Sequence, residues 1–253
     1  RPAEHVYAAG AGAGGLAALE AALAEPGAHD GLYLVAPALG GARVALQAAH
    51  DVQTFGRLPG PLHEALTDAD LARVATAAIA ACDGLDGLED GLIFDMVGCR
   101  AAFDPFALAC AETSVDCLFP ERLEALIVSH DGPRDADFEP LYAPWPWTPA
   151  LAAPDWRAWR LGSAEAPPAD AAPAAAALGL RGDPVAALRA LDLRETASAL
   201  PPGAPETALV TRFGAAGGRI LIVHGAEDFA HSVLASGAFS TRLHAEDPGT
   251  DDV

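Results

Sequence analysis

Gly10-Ala11-Gly12-Ala13-Gly14-Gly15 stands between a short apolar run over residues 5–9 and a helix-forming run from Leu16 to Leu23. Strand, tight turn and helix is the natural reading of that succession. Two further stretches extend it. Gly31-Leu32-Tyr33-Leu34-Val35-Ala36-Pro37 and Arg219-Ile220-Leu221-Ile222-Val223-His224-Gly225 are short, continuously apolar strands of the kind buried on both faces of a parallel sheet. The second of these ends in a turn at Ala226-Glu227-Asp228. The fold class is therefore α/β with a mostly parallel sheet.

The glycine turn has three readings. Gly10, Gly12 and Gly15 satisfy the dinucleotide fingerprint G-x-G-x-x-G between a strand and a helix. That site also needs an acidic residue about 20 positions on, at the end of the second strand, to hold a ribose. Here the second strand ends in Ala36-Pro37-Ala38, with no carboxylate. In the second reading the turn is a nucleophile elbow, G-x-S-x-G, with Gly10 and Gly14 in place and Gly12 where the serine belongs. Small residues are required there because the turn is sharp and the helix packs close. The third reading is a plain glycine turn without chemistry.

Between the core-like strands the chain behaves differently. Asp68 to Ala81 reads as an alanine-rich helix with Thr67 or Asp68 as its N-cap. A Gly- and Asp-rich loop and a cysteine cluster follow, then a helix over Pro120 to Val128. Trp145, Trp147, Trp156 and Trp159 lie in one proline-punctuated stretch, and residues 163–177, mostly Ala, Pro, Asp and Glu, read as a poorly ordered surface segment. The simplest organisation is a discontinuous core, residues 1–55 and 205–253, split by a mostly helical insertion over residues 56–204.

With 51% hydrophobic and 20% charged residues, the 253-residue chain can bury a substantial core. Its formal charge of −20 repels phosphate backbones and anionic lipid, which argues against nucleic-acid and membrane-surface roles. No stretch approaches the roughly 20 apolar residues that cross a bilayer. The opening, Arg1-Pro2-Ala3-Glu4-His5, carries no signal peptide and runs almost at once into strand, so a natural start further upstream is expected. The end, from Ala245 to Val253, is an acidic tail without a packing pattern.

Four cysteines, Cys82, Cys99, Cys110 and Cys117, fall in one short segment. Two disulfides in an oxidising compartment are favoured over zinc, because the spacings lack the paired short gaps of a zinc site. Within the segment, Asp83, Asp86 and Asp90 place three carboxylates on a loop whose glycines forbid a stable helix. Calcium takes six to eight oxygens from carboxylates and carbonyls, and the carbonyls of Leu88 and Leu92 could complete such a cage. The spacing is not that of an EF-hand, so residue chemistry alone leaves a run of Asp-Gly turns as an equal reading.

The motif Cys82-Asp83-x-x-Asp86-Gly87-x-x-Asp90-Gly91-x-Ile93, followed by Cys99-Arg100 and Phe103-Asp104-Pro105, is similar to the lid signature of the tannase/feruloyl esterase family, which also includes terephthalate-monoester hydrolases. The resemblance extends over most of the chain: Tyr7 through Leu19 resembles the elbow, Asp30-Gly31 with Ala36-Pro37-Ala38 the next strand and loop, and Gly217 through Asp228 the strand bearing the triad acid. It implies an α/β-hydrolase core with a helical lid, and calcium held by Asp83, Asp86, Leu88, Asp90 and Leu92. It also implies disulfides Cys82–Cys99 and Cys110–Cys117, and Asp228 as the catalytic aspartate that would orient a histidine. The implied chemistry is hydrolysis of aromatic or phenolic carboxylic esters in a secreted or periplasmic protein, with a small aromatic ester as ligand.

Three departures qualify that expectation. Gly12 replaces the nucleophilic serine, and Ala11 the cysteine that precedes it. The C-terminal Pro-Gly-x-x-His-Cys segment that supplies the family's histidine is absent, and neither His231 nor His244 has the matching context. The strands that would precede the elbow and supply an oxyanion amide are also missing. The expectation is thus an impaired or inactive esterase, with two alternatives: a non-catalytic calcium-binding module that still holds a phenolic ligand, or a dinucleotide-binding protein using Gly10, Gly12 and Gly15. The tryptophans would either cover an aromatic acyl group or form plain lid core.

Overall fold

A computed structural model describes residues 4–111, 116–201 and 207–246. Residues 247–253 of the acidic tail lie outside the described part. In chain order the main elements are β1 (Tyr7–Ala11), α1 (Ala13–Ala24), β2 (Gly31–Val35), α2 (Val44–Phe55), α3 (Asp68–Cys82), α4 (Met96–Ala102), α5 (Pro120–Asp131), α6 (Pro154–Arg160), α7 (Ala171–Ala177), α8 (Pro184–Ala190), α9 (Leu193–Ala199), α10 (Thr207–Ala215), β3 (Arg219–Val223) and α11 (Val233–Glu246). They form two compact units, residues 1–41 with 201–253, and residues 42–200.

The first unit is built on one parallel sheet of order β1-β2-β3. Its register aligns Tyr7 with Gly31 and Arg219, and Ala11 with Val35 and Val223. Because side chains alternate across a strand, Leu32, Leu34 and Ile220 share one face. That face packs against Leu19, Ala22 and Leu23 of α1, Val210 and Phe213 of α10, and Phe239 of α11 in a single core. Full burial stabilises each such Leu or Phe by about 1.5–3 kcal/mol relative to exposure. Tyr33, Leu221 and Val223, on the opposite face, stay exposed at 45%, 57% and 45%. The two-faced burial expected of continuously apolar strands is therefore not realised, since α1, α10 and α11 all contribute to the core on the other side.

The second unit is helical. α2 runs through its middle with both sides buried. Ala45, Ala48, Ala49 and Val52 pack on Ala171, Ala174 and Ala175 of α7 and on Leu188 of α8. The small side chains let these helices approach closely. This explains two departures from the sequence reading. The division falls after residue 41 and after residue 200, because α2 belongs to the helical unit rather than to the strand-bearing one. The segment 163–177, expected to be poorly ordered, instead contributes α7, whose Ala171 is fully buried.

α3 begins where the sequence places it. Thr67 Oγ1 accepts from the Asp70 amide at 3.1 Å, and the Thr67 amide donates to Asp70 Oδ2 at 2.9 Å, closing a reciprocal capping box. Asp70 also accepts from Arg122 on α5 at 2.9 Å, tying the start of α3 to a second helix.

Candidate functional site

Between β1 and α1 the chain reverses within one residue. Gly12 adopts φ 52° and ψ −124°, a region that costs a residue with a side chain on the order of 1–3 kcal/mol. The turn is pinned on both sides: the Gly12 amide donates to Val35 O at 3.0 Å, and its carbonyl accepts from the amides of Gly15, Leu16 and Ala38. A Cβ on Gly10 would collide with the backbone of Gly14, so the first glycine is demanded by close approach of helix to strand. A sharp strand-to-helix turn of this kind is what a nucleophile elbow requires, and Gly12 brings no side chain to it.

The three atoms nearest to a Cβ placed at position 12 belong to one residue. The Cβ of such a side chain would lie 3.1 Å from Cε1, 3.7 Å from Nε2 and 4.0 Å from Nδ1 of His231. His231 is held by the turn that follows β3. Asp228 Oδ1 accepts from the amides of Ala230 at 2.7 Å and His231 at 2.9 Å. Burial depresses the His231 pKa below its ordinary value; the Asp228 carboxylate opposes that shift and His224 adds to it. The carboxylate expected to orient a histidine thus shapes the backbone that carries one.

Beneath the turn lies His224, whose side chain is 4% exposed. Its Nε2 sits 3.0 Å from the His231 carbonyl and 3.8 Å from Asp228 Oδ2, and its Nδ1 sits 2.8 Å from Ser236 Oγ. A carbonyl can only accept, so Nε2 donates to it, while Nδ1 pairs with the Ser236 hydroxyl. Sequence reasoning set His231 aside for want of the family context, and gave His224 no role although it lies in the stretch that resembles the acid-bearing strand. His244 lies exposed in the last turn of α11.

All four cysteines are paired, Cys82 with Cys99 and Cys110 with Cys117, which leaves none for zinc. The first bridge closes the acidic loop. There Asp83 Oδ1 accepts from the amides of Asp90 and Gly91, Asp86 from those of Leu88 and Phe94, and Asp90 from that of Leu92. The donor set, three carboxylates on an exposed loop, suits a hard cation in type. In this arrangement the carboxylates face backbone amides, and among the described residues no three His, Cys, Asp or Glu side chains converge as a metal-holding group.

Three of the four tryptophans are core of the helical unit, and Trp159 is partly buried. Trp145, Trp147 and Trp156 are 4–5% exposed. Trp147 stacks on His130 at 4.1 Å and meets Phe103 edge-on, while Arg160 lies 4.0 Å over Trp145. Burial, with Arg160 and Arg100 nearby, lowers the His130 pKa to about 3, so this histidine packs as a neutral ring. Beside it Asp51 accepts from Arg160, Gln47 and Ser129. Burial and the Asp51 carboxylate raise the Asp170 pKa to about 7, against the pull of Arg160.

The mono(2-hydroxyethyl) terephthalate hydrolase of Piscinibacter sakaiensis is 29% identical over 188 residues, 64% of this chain and 31% of that protein. Feruloyl esterase B of Aspergillus oryzae superposes with a TM-score of 0.73 at 21% identity, covering 96% of this chain and 48% of that one. Another esterase from Aspergillus oryzae superposes with a TM-score of 0.77 at 20% identity, covering 96% and 47%. The chain thus spans about a third of the curated relative and about half of each solved structure. The structural likenesses establish the fold as an incomplete α/β-hydrolase core with a mainly helical insertion. The sequence also matches the tannase and feruloyl esterase family over residues 1–244, and the chain belongs to that family.

Proposed function

We propose that this chain is the elbow, lid and acid-strand portion of a carboxylic-ester hydrolase acting on small aromatic or phenolic esters, with serine-dependent catalysis lost at Gly12. The observation that carries the reading is the elbow itself: Gly12 holds the strained turn, and no side chain is there to attack. In an intact serine esterase the hydroxyl forms a covalent acyl intermediate. Without it only binding and dipolar stabilisation remain, and turnover is expected to be very low. Asp228, on the turn after β3, is the acid position of this scheme.

Three further features belong to the same reading. The loop carrying Asp83, Asp86, Leu88, Asp90 and Leu92 takes calcium once its carboxylates turn from the backbone amides to the ion. The two disulfides favour an oxidising, secreted or periplasmic setting. A bare elbow also favours the second reading, a module that binds a phenolic ester without turning it over. A dinucleotide role is disfavoured, because β2 ends at Val35 and is followed by Ala36-Pro37 with no ribose-binding acid.

The test is hydrolysis of methyl gallate, methyl ferulate and a p-nitrophenyl ester by the oxidised chain with calcium, beside Gly12→Ser. Negligible turnover by the natural chain and gain of turnover by Gly12→Ser support the reading. Rapid turnover by the natural chain that resists serine-directed inhibitors would sink it. Binding of the methyl esters with no turnover by either protein would select the binding module.

A further inference from the structure

We propose that Asp51, Arg160 and Asp170 form a proton latch inside the helical unit, fastening α7 to α2 while Asp170 is protonated and freeing it when that proton leaves. The latch lies wholly within residues 42–200 and involves no residue of the turn at Gly12.

Hydrogen bonding ranks the two carboxylates. Asp51 is supplied with donors on both oxygens: Gln47 Nε2 and Ser129 Oγ reach Oδ1 at 2.8 and 2.6 Å, and Arg160 reaches Oδ2. Asp170 is as deeply placed, yet its Oδ1 meets no hydrogen-bond donor among the described residues. Donors favour the charged form of an acid, and burial without them favours the neutral form. With one guanidinium between two acids, the negative charge therefore rests on Asp51 and the proton on Asp170.

Asp170 stands where that choice moves a helix. It occupies the N-cap position of α7, but its side chain accepts from no amide of the first turn. Its carbonyl accepts from the Ala174 amide at 3.0 Å, and its own amide donates to Trp159 O at 3.3 Å, joining α7 to α6. α7 holds to α2 through the small side chains of Ala171, Ala174 and Ala175, each of which buries little apolar area. An unpaired charge at the root of so light an attachment drives the helix outward, where water solvates the carboxylate. The groups whose charge acts on Asp170 are Asp51 of α2 and Arg160 of α6. The other polar groups on the packed helices are engaged elsewhere: His50 of α2 with Val128 O, Arg157 of α6 with Asp68, and Arg189 of α8 beside Gly56.

The sign of the pH response follows. Burial and the Asp51 carboxylate raise the Asp170 pKa to about 7, against the pull of Arg160. Swung into water, the group returns to an ordinary value near 3.9. Between those values opening releases a proton, so the opened population grows as pH rises and levels off past about 7. The helix is fastened in mildly acidic solution and freed toward neutral.

The experiment is amide hydrogen exchange of the full oxidised chain, read by mass spectrometry on peptides covering residues 166–180 and, for comparison, α3, with intrinsic exchange rates divided out. Protection of α7 should fall by about 50-fold between pH 5 and pH 7 and by only about twofold more above that. In Asp170→Asn, which mimics the protonated acid, it should stay level. At pH 7 the α7 amides should exchange faster than those of α3 and respond little to dilute urea, because a local opening exposes little surface. Level protection across pH in the natural chain, or the same fall in Asp170→Asn, would overturn the latch. So would exchange of α7 and α3 together with one steep urea dependence, which marks global unfolding. Should Asp170→Asn fail to fold, the pH series and the urea comparison on the natural chain decide alone.

Discussion

Arg160 and Asp51 form an ion pair at 2.5 Å inside the helical unit, with 3% and 1% of their side chains exposed. Both charges are out of water, so each depends on the other together with Gln47, Ser129 and the Trp145 face. Removing one partner strands the second, which typically costs 3–5 kcal/mol. Arg160→Met should therefore lower unfolding free energy by about that amount in urea titration. A loss under about 1 kcal/mol, the scale of an exposed pair, would show that the pair is solvated.

Asp170 makes the same region sensitive to pH. Its folded-state pKa is raised to about 7 by burial and by Asp51. The folded state therefore holds a proton that the unfolded state, with an ordinary carboxylate pKa near 3.9, has already released. This contribution is fully present below about pH 4 and is lost as pH rises through about 7. Asp170→Asn should flatten the decline in melting temperature between pH 5 and pH 8. An unchanged slope in the variant would show that another group carries it.

The Cys82–Cys99 bridge closes the acidic loop across 17 positions. In the loop-entropy model a closure of that size stabilises by about 3 kcal/mol. Replacing both cysteines by serine should lower stability by roughly 2–5 kcal/mol, read by denaturant unfolding under non-reducing conditions. A neutral outcome would mean that the burial of Cys82 and Cys99, not the bond, holds the loop.

Calcium uptake by the same loop gives a linkage effect. An ion that binds only the folded state stabilises by about 2.7 kcal/mol at a hundred times its dissociation constant. Millimolar calcium should raise the melting temperature of the natural chain and have no effect on Asp86→Asn or Asp90→Asn. Equal shifts in all three proteins would place the ion elsewhere.

Local order was legible in the sequence wherever one physical cause dominates a short window. β1, β2 and β3 stand out as uninterrupted apolar runs between turn residues. The start of α3 is written in Thr67 and Asp70, whose reciprocal hydrogen bonds need no other part of the chain. Gly10 and Gly12 announce a turn that only residues lacking a side chain tolerate easily. The absence of a side chain at Gly12 is likewise a statement about one residue type at one position, and so is the acidic loop as a chain of Asp-anchored turns.

Tertiary structure decided what depends on residues far apart in the chain. α2 joins the helical unit because its alanines meet α7 and α8, a choice invisible in its own composition. Trp145, Trp147 and Trp156 become core because His130, Phe103 and Arg160 arrive to cover them. Asp51, Arg160 and Asp170 follow no motif spacing, since a buried charge is defined by what surrounds it. His231 reaches Gly12 only because β3 lies in the same sheet as β1 and its following turn folds back over the elbow. The sequence by itself determined the strained turn and its want of a side chain; the fold alone decided which imidazole stands over it, because that proximity is made by strand pairing and not by spacing along the chain.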